Sequence, residues 1–170
     1  AGGTWTPSMA VTDPSLRAHV QDVDSGPAGD VIAAVVNQNG GFTDIAFHAA
    51  RWDPATTSWL TPLRVSDPIV RYADVEFESN SDAIAVWMRS LLAGGAVVEA
   101  SSFSKATGTW STPTAVSGNG SARNDLVELA LDPGDNAFAG WTNGVSQVAT
   151  LQQPPPVWSD ESIGAPQVGT

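Results

Sequence analysis

Apolar residues in this chain fall in strand-length runs separated by turn residues, and no helix-period stripe of useful length interrupts them. The clearest runs are Val31 to Val36, Ala83 to Trp87 and Ala137 to Trp141, each preceded by an Asp or Asn at Asp30, Asp82 and Asn136. Each follows a turn-rich stretch: Gly26-Pro27-Ala28-Gly29, Ser79-Asn80-Ser81 and Asp132-Pro133-Gly134-Asp135. The runs are nearly continuously apolar, which predicts strands buried on both faces. Before each turn lies a first strand: Gln21 to Asp24, Ala73 to Phe77 and Val127 to Leu131. After each run comes a third strand: Ile45 to Trp52, Val97 to Phe103 and Val145 to Leu151.

A fourth strand carries tryptophan. Trp5, Trp59, Trp110 and Trp158 stand 54, 51 and 48 residues apart. The words after them recur as Met9-Ala10-Val11-Thr12-Asp13-Pro14, Leu63-Arg64-Val65-Ser66-Asp67-Pro68 and Thr114-Ala115-Val116-Ser117-Gly118. The expectation is an all-β chain forming a single domain over 1–170. It would be a β-propeller of four-stranded antiparallel blades, with repeats at about 12–65, 66–116 and 117–164. Residues 1–11 would be an extra N-terminal outer strand, able to complete a blade whose other strands lie elsewhere. A sandwich or a solenoid is the alternative.

Composition narrows the function. With 42% hydrophobic and 15% charged residues, the chain is too apolar for a disordered one. No apolar run is long enough for a membrane-spanning helix, so no membrane insertion is expected. The net charge of −11 repels phosphate backbones and argues against nucleic acid as a partner. The absence of cysteine removes disulfides, thiolate catalysis and Cys-based zinc sites.

Gly108-Thr109-Trp110-Ser111-Thr112-Pro113, together with Asp82-Ala83-Ile84-Ala85-Val86-Trp87, resembles the repeats of bacterial exported propellers of the sialidase-like, Asp-box type. Ser102 to Trp110 supplies the Gly-Thr-Trp of an Asp box without its aspartate. The resemblance implies a secreted or cell-surface protein and a wheel of six to eight blades. Three blades are half of a six-bladed wheel, so a homodimer completing the ring is expected, as in small fucose lectins of few blades.

Repeated polar residues are the site candidates. An acid precedes a core residue in each first strand, at Asp22, Asp74 and Glu128, and an arginine lies near its start, at Arg17, Arg71 and Arg123. One reading is a ligand pocket between blades, where arginine and carboxylate bind sugar hydroxyls and an aromatic face such as that of Trp52 stacks on the ring. The other is an inter-blade ion pair, or an exposed arginine beside a channel-lining acid. No catalytic set emerges: Tyr72 stands beside Arg71 and Asp74 on one strand, and His19 and His48 are isolated. No metal site and no cofactor is expected. The reading is a non-catalytic extracellular binding or assembly module with a glycan or protein ligand. The alternatives are a carbohydrate-binding lectin and a fragment of a sialidase-like glycoside hydrolase.

Overall fold

The computed structural model describes residues 8–12, 17–38, 45–118, 126–142, 145–152 and 157–162. These residues are all-β and form three open antiparallel sheets, each from one consecutive stretch of chain. The first contains β1 (Arg17–Ser25), β2 (Val31–Gln38) and β3 (Ile45–Asp53). Two short pieces, β4 (Ser58–Trp59) and β5 (Leu63–Arg64), both pair with β3. The second repeats that order with β6 (Val70–Phe77), β7 (Ala83–Ser90), β8 (Ala96–Ser104), β9 (Thr109–Trp110) and β10 (Thr114–Ala115). The third is β11 (Glu128–Leu131), β12 (Ala137–Thr142), β13 (Ser146–Gln152) and β14 (Val157–Ser162).

One hairpin turn joins the first two strands of every sheet, and Leu91 to Gly95 builds it again between β7 and β8. The amides of Gly26, Glu78 and Asp132 donate to the carbonyls of Asp30, Asp82 and Asn136, and those of Gly29, Ser81 and Asp135 donate back three residues. Gly29, Ser81 and Asp135 have positive φ, which explains the small and polar residues there. Gly26 is held for a further reason: a Cβ on it would come within 3.0 Å of the Phe77 ring in the next sheet.

The outer strands close through a buried serine. Ser66 Oγ accepts the Phe47 amide at 2.9 Å, and Ser117 Oγ accepts the Val98 amide at the same distance. The Val-Ser pair that follows Trp59 and Trp110 therefore joins strand four to strand three in sheets one and two. Val65 and Val116 fill the core while the serine takes a main-chain donor.

Two cores lie between the sheets. The first joins Ile32, Ala34, Val36, Phe47 and Val65 of sheet one to Val75, Ala85 and Trp87 of sheet two. The second joins Ile84, Val86, Met88 and Val116 of sheet two to Leu129, Ala139 and Trp141 of sheet three. Each sheet thus has a leading face, turned toward the next sheet, and a trailing face, turned toward the previous one. Trp87 and Trp141 occupy one position on two trailing faces. Their indole N–H groups bond across the strand pair to Glu99 Oε2 at 2.9 Å and Gln147 Oε1 at 2.7 Å.

The expectation of second strands buried on both faces holds for β2 and β7 but fails for β12, where Phe138 is 38% exposed. The corresponding Ile32 and Ile84 are covered by a following sheet, and among the described residues none follows sheet three. Of the extra N-terminal strand, residues 1–7 lie outside the described residues, and Ser8–Val11 carries no strand.

Removing either serine hydroxyl strands a buried amide, which costs roughly 1–3 kcal/mol. Ser66→Ala and Ser117→Ala are each expected to lower unfolding free energy by about that amount, and Thr114→Ala, at an exposed position, by almost nothing. Urea titrations followed by tryptophan fluorescence measure all three.

Candidate functional site

The repeated acids sit where the first strands of successive sheets lie side by side, with β6 against β1 and β11 against β6. Asp22 and Asp24 share the leading face of sheet one with Ala34 and Ile32, their cross-strand partners. From there they reach the free edge of β6: the Val75 amide donates to Asp22 Oδ2 at 3.2 Å and the Phe77 amide to Asp24 Oδ2 at 2.8 Å. Asp74 does the same one sheet later, accepting the Leu129 amide at 2.7 Å on Oδ2 and its neighbour Val75 at 2.8 Å on Oδ1. Glu128 holds the corresponding place on β11 and is exposed.

Asp22, Asp74 and Glu128, with Tyr72 and Gln21, border a hollow of about 100 Å³. Of the repeated arginines, Arg17 and Arg71 are both exposed, and Arg71 Nε donates to Ser90 Oγ at 2.8 Å. Among the described residues no ion pair joins Arg17 or Arg71 to these acids; Asp22 and Asp74 accept main-chain amides instead. Arg71 instead borders a separate hollow of about 380 Å³ with His19, Tyr72 and Ile69, whose φ of 74° is strained for a β-branched residue. Arg123 lies outside the described residues. Trp52 is far along β3, packed edge-on against Trp59 with ring centroids 5.9 Å apart, so its ring is part of an aromatic pair.

Crowding acids at one seam shifts their protonation. Burial, then the hydrogen bond and charge of Asp22, push the Asp74 carboxyl up to about 7, against the pull of the Leu129 and Val75 amides. Burial, then the charges of Asp24 and Asp22, push Glu76 up to about 7 as well. Among the described residues no group of three or more His, Asp or Glu is placed to hold a metal ion.

No family model matches the chain, and no curated protein matches it.

Two larger clefts open between neighbouring sheets. One, of about 490 Å³, lies between sheets one and two and is bordered by Arg64, Asp67, Glu99 and Thr112. Glu99 is buried there, held by Trp87 and by both Nε and Nη2 of Arg89. The other, of about 460 Å³, lies between sheets two and three and carries Ser101, Ser111, Thr114 and Trp158. Sequence reasoning missed the Trp87–Glu99–Arg89 group because Trp87 and Arg89 of β7 meet Glu99 of β8 only through cross-strand register. The tryptophan shared by Trp87 and Trp141 was the available signal. It also missed the ion pair between Lys105 and the buried Asp30, 2.6 Å long, which ties sheet two to sheet one near the turns.

Because Asp74 and Glu76 carry raised values, the folded chain holds protons between about pH 4 and 7 that the unfolded chain has released. Their contribution to stability is therefore present at the acid side and is lost as pH rises through about 7. The urea midpoint is expected to be higher at pH 5 than at pH 8. Asp22→Asn keeps an acceptor for the Val75 amide and gives Asp74 a donor in place of a charge. It should raise the pH 8 midpoint more than the pH 5 midpoint and so flatten the profile.

Proposed function

We propose that the chain is a non-catalytic binding and assembly module: an arc of β-propeller blades of the sialidase-like, Asp-box type, secreted or at the cell surface, whose ring a second copy completes. The observation that carries this reading is the one-way chain of carboxylates, Asp22 to the Val75 amide and Asp74 to the Leu129 amide. It repeats one junction geometry from sheet to sheet, which is what a radial array of blades requires. The acids themselves serve as links between sheets, so the seam is spent on assembly rather than on acid–base chemistry. No helix among the described residues is long and apolar enough to cross a membrane.

Native mass spectrometry or sedimentation equilibrium tests the reading. A closed ring of two copies predicts a species of about twice the 17.6 kDa chain mass; a monomer at micromolar concentration would refute the completed ring.

The inter-sheet clefts favour a second reading, a carbohydrate-binding lectin. Glu99 beside Arg64 and Asp67, or the hydroxyls of Ser101, Ser111 and Thr114 beside Trp158, offer polar groups next to apolar walls, as sugar recognition needs. A glycan array decides this: binding that falls at least tenfold on Glu99→Gln or Trp158→Ala supports the lectin, and silence across the array refutes it.

A further inference from the structure

The two outer faces of the described sheets are the two halves of the junction that is built twice inside the chain. On the trailing side of sheet one, Val23 pairs with Ala33 in the register by which Val75 pairs with Ala85 and Leu129 with Ala139. Val75 and Leu129 are buried under a preceding sheet, whereas Val23 is 54% exposed and its neighbour Val20 is 52% exposed. Val11 already packs against Ala33, Val35 and Ala50 of this face, as Val65 and Val116 contribute to the two inner cores. On the leading side of sheet three, Glu128 stands opposite Gly140 as Asp22 stands opposite Ala34 and Asp74 opposite Val86. Phe138 replaces Ile32 and Ile84 there and is left open to solvent.

We infer that the leading face of sheet three docks on the trailing face of sheet one of a second copy, with the Glu128 carboxylate accepting the Val23 amide and Phe138 covering the Val20–Val23 side. This rests on the propeller-arc reading and names its joining surface. The occupant is argued from continuity: both faces are copies of surfaces that already bind each other within the chain. Any other protein would have to reproduce a carboxylate at the Glu128 spacing on one side and an amide edge at the Val23 spacing on the other. The contact is head-to-tail, so it joins unlike faces and never like to like.

The chain has no cysteine, which makes cross-linking unambiguous. Asp24 faces Phe77 inside the chain. By the same register Ala130 of one copy faces Ser25 of the other, and both are exposed in the single chain. Full-length Ser25→Cys and Ala130→Cys chains, mixed and mildly oxidised, are expected to form a disulfide-linked pair, while either alone forms none. Val23→Asp, at a position exposed in the single chain and checked for folding by circular dichroism, is expected to reduce the native mass to that of one chain. Glu128→Gln should weaken association by about tenfold, the size of one charge-assisted hydrogen bond. A monomeric wild-type chain overturns both this inference and the completed ring. A wild-type dimer whose mass ignores Val23→Asp, and whose mixed cysteine variants do not cross-link, overturns this surface alone. A wild-type native mass above two chains, with the mixed cysteine variants still cross-linking, supports the surface and overturns closure by two copies.

Discussion

A carboxylate on one sheet accepting a main-chain amide on the edge of the next is the interaction on which this structure depends. The first strand of a sheet has a free edge, and an amide left unpaired there is costly once apolar faces close around it. Asp22, Asp24 and Asp74 remove that cost at Val75, Phe77 and Leu129. They also fix how far one sheet slides along the next, because each acid accepts one amide of the next sheet. The two inter-sheet cores are then filled by residues whose positions that register has set.

The arrangement carries a tension. Placing Asp22, Asp24, Asp74 and Glu76 along one seam brings like charges together, and burial and mutual repulsion hold Asp74 and Glu76 protonated toward neutral pH. The remaining contacts between sheets use charge differently. Lys105 reaches back to Asp30, and the Ser79 amide donates to Asp135 at the neighbouring turn, so the turn end is tied by complementary partners while the acidic seam runs beside it.

Much of the fold was legible in the sequence. The apolar runs, the Asp or Asn at their starts and the turns before them mark β2, β7 and β12 with their hairpins, because strand alternation and turn chemistry are local properties. The spacing of the tryptophans marked the outer strands, and Trp59, Trp110 and Trp158 do pack partly buried on their sheets. The site was less legible. The repeated acids were visible as a pattern, but their pairing with amides of the next sheet joins residues 53 and 55 apart, which no local rule specifies. The repeated arginines suggested ion pairs that the described residues do not make; Asp22 and Asp74 accept main-chain amides instead. Ser66 and Ser117 were part of a recognised word, yet their role depends on burial, which the word alone does not reveal.

The junction is asymmetric in what it asks of each side. The giving sheet must present a carboxylate at a set register, but the receiving sheet offers only its backbone, which every residue except proline supplies. A receiving strand can therefore change its side chains without losing the polar half of the contact. Sequence change at the junction is therefore limited on the polar side by the acid alone, and on the receiving strand by the apolar core its side chains enter.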